Sequence, residues 1–171
     1  MKQGDSPSAR AALVGVFESG VGGLSVMRAL IGRLPTQDLM YIADSANCPY
    51  GSRSPEEILA YSEGITRYLI SCGARLIVVA CNTASAVALA PLRKAFPQIP
   101  FVGIVPAVKP AAQQTRTGIV GVLGTATTLN GQLYRDVVAH YALGVKVISQ
   151  ACQGLVEQVE ADGIPIAHID M

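Results

Sequence analysis

Cys81 closes an apolar run, Leu76-Ile77-Val78-Val79-Ala80, and is followed at once by the polar pair Asn82-Thr83 and then by Ala84 and Ser85. A buried strand that delivers a thiol to the first turn of a helix sets sulfur beside unsatisfied N–H groups and the positive end of the helix dipole. Both favour thiolate, the form that acts as base or nucleophile. An ordinary cysteine titrates near about 8.5, so a modest downward shift leaves a useful thiolate population at neutral pH. The same segment also fits a core cysteine, because Cys is among the most buried residue types. On these residues alone both readings stand.

Two further loops carry polar groups. In Glu18-Ser19-Gly20-Val21-Gly22-Gly23, three glycines let the backbone approach a ligand while Glu18 offers a carboxylate. Gly20-x-Gly22 opening a helix, with Asp44 some way on, is also part of a dinucleotide fingerprint, but Ser25 stands where the third glycine belongs. The second loop is Asp44-Ser45-Ala46-Asn47-Cys48-Pro49-Tyr50-Gly51.

These loops need a scaffold that gathers them. Short apolar runs alternate with longer helical patterns, the signature of βα units and a parallel sheet. Strands are expected at Leu13 to Phe17, Leu39 to Ala43, Leu76 to Ala80, Phe101 to Ile104, Ile119 to Leu123 and Val145 to Ser149. Ligands bind outside the carboxyl ends of such strands, where these loops fall. The clearest helix start is Ser54-Pro55-Glu56-Glu57, with serine as cap, proline in the first turn and Glu57 completing a capping box; Gly73 ends that helix. Pro106 and Pro110 mark a boundary, giving a flexible tail over 1–11, an amino-terminal α/β domain over 12–105 and a partial second α/β domain over 106–171. The two strands and one helix expected late in that last segment are too few to close an ordinary α/β domain, so the chain reads as unfinished at Met171.

The bulk numbers narrow the function. With 171 residues, 50% hydrophobic and 15% charged, the chain can bury a sizeable core. Thirteen basic against twelve acidic residues leave a formal charge of +1, so nothing favours nucleic acid or an anionic membrane, and a small molecule is the expected partner. Cys48, Cys72, Cys81 and Cys152 have neither C-x-x-C spacing nor a nearby histidine pattern, which suits a reducing cytoplasm without a metal site. No apolar leader or membrane-length run is visible.

The segments Phe17-Glu18-Ser19-Gly20-Val21-Gly22-Gly23-Leu24-Ser25-Val26, Pro49-Tyr50-Gly51 and Ala80-Cys81-Asn82-Thr83-Ala84-Ser85 resemble, in order and spacing, the motifs of cofactor-independent glutamate racemases. Gly121-Val122-Leu123-Gly124-Thr125-Ala126-Thr127 and the stretch from Cys152 to Glu160 resemble that family's second-domain segments. The likeness covers nearly all of residues 13 to 160. It implies the three-layer, parallel-sheet α/β fold of aspartate/glutamate racemases. It also implies interconversion of L- and D-glutamate for peptidoglycan synthesis by two cysteines on opposite faces of the substrate, without pyridoxal phosphate or metal, in the cytoplasm, with a homodimer as one possible assembly. Carried over residue by residue, Cys81 is the base or acid of one face. Glu18 lies near the ammonium group or assists Cys81, and Glu160 matches the acidic residue flanking the other cysteine. Ser19, Tyr50, Gly51, Asn82, Thr83 and Thr125 would bind substrate, as would Glu18.

Three departures stand out. The family has aspartate where this chain has Glu18, and the extra methylene moves the carboxylate enough to predict reduced activity. Val105 replaces an expected acidic residue. The Cys-Thr-His segment of the second cysteine is absent from the sequence and would fall beyond Met171; Cys152, followed by Gln153-Gly154, is no substitute. Cys72 reads as a packing residue, Cys48 as a possible pocket wall, and His140 and His168 are assigned no role. Tyr50 also fits a half-buried aromatic, and Asn82 and Thr83 fit helix caps. Competing readings are an aspartate racemase or related family member, an inert domain that binds an acidic amino acid, and a nucleotide-binding domain.

Overall fold

A computed structural model describes residues 12–162, so the expected tail over 1–11, His168 and Met171 lie outside the described residues. Val14, Val16 and Phe17 make β1 (Leu13–Glu18) a strand with apolar side chains on both faces, as a central parallel strand requires. It lies between β2 (Leu39–Ala43) and β3 (Ala74–Val79), with β4 (Phe101–Gly103) beyond β3, giving a parallel sheet of order β2-β1-β3-β4.

Two helical layers cover this sheet. On one face Val16, Val78 and Ala80 pack against Val26, Met27 and Leu30 of α1 (Gly23–Arg33). On the other, Phe17, Ile77 and Val79 meet Ile58 and Leu69 of α2 (Pro55–Ser71) and Ala84, Ala88 and Leu92 of α3 (Asn82–Ala95). This is the three-layer α/β architecture expected.

The start of α2 is as read: the Ser54 hydroxyl accepts from Glu57 N at 3.2 Å, Glu57 Oε2 accepts from Ser54 N at 2.9 Å, and Pro55 takes the first turn. Gly73, at φ 94°, provides the left-handed turn that stops the helix and leads straight into β3, which therefore begins at Ala74 rather than Leu76. Cys72 in that turn is exposed, contrary to the packing role expected, because it caps the helix end instead of lying on its inner face. β4 stops at Gly103, short of Ile104, whose N–H is taken by the Ser85 hydroxyl at 3.1 Å instead of a neighbouring strand.

After α4 (Val108–Gln114), a second parallel pair forms from β5 (Ile119–Gly124) and β6 (Lys146–Ala151), linked through α5 (Ala126–Asn130) and α6 (Gln132–Tyr141) and followed by α7 (Leu155–Asp162). Its inner face packs Val120 and Val122 on Val108 and Tyr134, while Ile119, Leu123 and Ile148 are exposed. Among the described residues no helix is long and apolar enough to cross a membrane.

Candidate active site

The carboxyl ends of β1 and β3 lie side by side, which brings the Glu18 loop to Cys81. Cys81 caps α3, its sulfur accepting from Ala84 N at 3.4 Å. Ser19 Oγ lies 3.6 Å from that sulfur and donates to Glu18 Oε1 at 3.0 Å. A serine hydroxyl has one proton to give. With it committed to Glu18, the thiol must be the donor to Ser19, and the three groups form a directed line from thiol to hydroxyl to carboxylate. Glu18 Oε2 is fixed in turn by Gly20 N at 2.5 Å.

The thiol is not the thiolate that its helix-start position suggests. Burial first, and the Glu18 carboxylate second, push Cys81 up to about 11, outweighing the backbone N–H groups of Ala84 and Ser19, which pull downward. Cys81 is only 4% exposed, so desolvation dominates. The Cys48 thiol, half-buried nearby, is likewise pushed up to about 11 by burial, then by the negative charges of Glu160 and Glu18.

A cavity of about 590 Å³ opens beside the Glu18 and Ser19 end of this line; Cys81 itself is not part of its lining and lies behind Ser19. Glu18, Ser19, Asn82, Thr83, Thr125 and Glu160 all line it. Asn82 and Thr83 form the first turn of α3, where free N–H groups add to their side chains as anion donors. Thr83 Oγ1 is 3.0 Å from Thr125 Oγ1 and 3.3 Å from Thr128 Oγ1, which joins the hydroxyls of the two sheets' helices. Glu160, from α7, reaches across to Val21 N, which donates to its two carboxylate oxygens at 3.0 and 3.2 Å. Among the described residues the lining includes two carboxylates and no Lys, Arg or His. Such a site suits a cationic ammonium at one pole and carboxylates at the hydroxyl and helix-start pole.

Two of the expected binding residues do not line this cavity. Tyr50 is 1% exposed, and its hydroxyl donates to Asp44 Oδ2 at 2.6 Å. Gly51 packs against Thr125: a Cβ placed there would lie 2.8 Å from Thr125 Cγ2. The sequence reading missed Thr128, a buried lining residue whose N–H donates to Thr125 Oγ1 at 3.1 Å; the Thr125-x-x-Thr128 cap spacing was its only signal. It also missed that Cys152 lines the cavity.

The sequence profile of the Asp/Glu/Hydantoin racemase family matches residues 15–167. This chain belongs to that family. Within the Asp/Glu/hydantoin racemases, it is similar to the glutamate racemase of Roseiflexus sp. (strain RS-1), 58% identical over 147 residues, which are 86% of this chain and 54% of that relative. The glutamate racemase of Pseudomonas aeruginosa (strain PAO1) is 51% identical over 150 residues, 88% of this chain and 57% of the relative. Among solved structures, Escherichia coli glutamate racemase in complex with L-glutamate and the activator UDP-MurNAc-ala superposes with a TM-score of 0.81 at 38% identity, covering 89% of this chain and 57% of that one. Glutamate racemase isoform RacE1 from Bacillus anthracis gives 0.77 at 37% identity, covering 88% and 56%. The chain thus spans little more than half the length of the relatives it matches.

Proposed function

We propose that this chain forms part of a glutamate racemase site, built between residues 12–105 and the residues from 106 onward, that takes the α-proton of glutamate at Cys81. The observation that carries this reading is the line from Cys81 through Ser19 to Glu18, whose last two members line a cavity with two carboxylates, three threonine hydroxyls and the first turn of α3. The α-carbon of an amino acid is a weak acid, so the site must position the base and stabilise the charge that spreads into the carboxylate. An arriving ammonium group offsets the negative field of Glu18 and Glu160. The Cys81 proton then passes to Ser19 as the serine proton passes to Glu18, leaving thiolate. The thiolate forms its S–H bond as the Cα–H bond breaks, and the electron pair moves into the substrate carboxylate, held by Asn82, Thr83 and Thr125. Return of a proton to the opposite face inverts the centre, and a two-base site assigns that step to a second thiol, flanked by Glu160. D-glutamate so formed would feed peptidoglycan synthesis in the cytoplasm.

A second reading, a domain that binds an acidic amino acid without turnover, draws support from the protonated state of Cys81. The two are separated by incubating the chain and Cys81→Ala with L- and D-glutamate, and with aspartate, in D2O and following the α-proton signal by NMR. Loss of that signal with glutamate, abolished in Cys81→Ala, upholds the racemase reading. Saturable binding without exchange supports the second, and a preference for aspartate reassigns the substrate.

A further inference from the structure

Asp44 follows β2 and lies outside the cavity lining, and the sequence reading gave it no part in the racemase site. The bonds of its side chain nevertheless all go to one loop. Asn47 Nδ2 donates to its two carboxylate oxygens at 2.9 and 3.1 Å, and the buried Tyr50 hydroxyl donates to Oδ2 at 2.6 Å. On the other side, Asp44 N donates to Glu18 O at 2.9 Å, tying this clasp to the end of β1. The Tyr50 ring packs on Tyr61 with centroids 5.8 Å apart, so it cannot follow a displaced hydroxyl partner freely. The next residue, Gly51, is the one seated against Thr125. Thr125 in turn meets the Thr83 hydroxyl at 3.0 Å.

We propose that Asp44 is a positioning residue for the carboxylate-binding pole: by holding Tyr50, it sets the height of Gly51 under Thr125 and so orients the Thr83 and Thr125 hydroxyls relative to Glu18. This rests on the functional reading above. Hydrogen bonds to a charged acceptor are the stronger ones, and a carboxylate shared by two side-chain donors makes the 44–51 loop a rigid strut instead of a hinge. The strut runs from the end of the strand that carries the proton-relay carboxylate to the hydroxyls that receive the substrate carboxylate. Asp44 touches neither the substrate space nor Cys81, so its effect is on binding geometry and not on the proton line.

The test compares Asp44→Asn, Asp44→Ala and Tyr50→Phe with the wild-type chain. The readouts are the concentration dependence and pH profile of glutamate α-proton exchange in D2O, with melting temperature and backbone amide spectra recorded on each protein. The expected result is a KM raised about tenfold in Asp44→Ala, equivalent to about 1.4 kcal/mol. Smaller rises are expected in Asp44→Asn and Tyr50→Phe, with kcat and the pH profile little changed. Should Asp44→Ala fail to fold, the two milder variants carry the comparison. A merely structural residue would lower the melting temperature and the active fraction, and hence the apparent kcat, at unchanged KM; that outcome overturns the proposal. A wild-type chain that neither exchanges nor binds glutamate defeats the functional reading separately. The strut is then judged from the Thr83 and Thr125 amide signals in Asp44→Asn and Tyr50→Phe: displacement upholds it, and coincidence with wild type overturns it.

Discussion

Cys81 should make the chain lose stability in alkali, and replacing it with alanine should remove that loss. Burial and Glu18 raise the thiol from an ordinary 9.0 to about 11. Between these values the folded chain keeps a proton that the unfolded chain has released, so rising pH favours unfolding. The stabilisation is complete below pH 9 and disappears as pH climbs through the folded value. Linkage makes the loss about 2 kcal/mol by pH 11. Other groups titrate there too, among them Cys48, also near 11, and Tyr41 and Tyr50, both raised mainly by burial. The comparison with Cys81→Ala isolates the thiol. Losing the cap on Ala84 N lowers the variant's stability by an amount that does not vary with pH. The negative charge that Cys81 adds to the raised tyrosines and Cys48 disappears with it, which enlarges the difference in the same direction. Urea unfolding of both proteins at pH 8, 9, 10 and 11 gives the curve. Wild-type stability should fall faster than that of Cys81→Ala above pH 9, and parallel curves would refute the account of the buried, protonated thiol.

Glu18→Gln removes the second cause of the raised thiol and leaves the first, so alkylation of Cys81 by iodoacetamide at pH 8 should speed several-fold without reaching the rate of an exposed cysteine; an unchanged rate would show that Glu18 does not act on the sulfur. Gly51→Ala places a methyl 2.8 Å from Thr125 Cγ2, and should weaken glutamate binding in calorimetry more than it lowers the melting temperature. Ser62 Oγ and Thr66 Oγ1 are fully buried in α2 with no hydrogen-bond partner among the described residues, so Ser62→Ala and Thr66→Val should each raise stability by about 1 kcal/mol in thermal melts; a loss of that size would mean the hydroxyls are satisfied.

Local chemistry made much of the scaffold readable. The Ser54-Pro55-x-Glu57 cap is fixed within four residues, and apolar runs such as Leu39 to Ala43 need no distant partner to be recognised as strands. The position of Cys81 at a strand end and helix start was legible for the same reason. Its protonation state was not, because the dipole and N–H groups are local whereas the burial that overrules them comes from elements far along the chain. Tyr50 illustrates the same limit: its hydroxyl is claimed by Asp44, six residues away, and the ring is sealed by Tyr61 on α2. Thr128 had a local signal only as the residue whose N–H Thr125 caps; its place beside Thr83 depends on α5 being laid against α3. Cys72 looked like core by residue type, but the turn that Gly73 imposes carries it outward.

In the relay proposed above, the single proton on Ser19 would act as a memory. Once a proton has passed from sulfur to carboxylate, the hydroxyl points back at the thiolate, with the polarity of the line reversed. If the thiolate is then refilled from the substrate instead of from Ser19, the line cannot fire again until Glu18 has shed its proton and the hydroxyl has turned about its C–O bond. On the proposed mechanism, each cycle that starts from the protonated thiol would therefore include a reset in which no substrate bond changes. A site with this wiring is a one-shot ratchet between resets, and its readiness for the next molecule is written in the direction of one O–H bond.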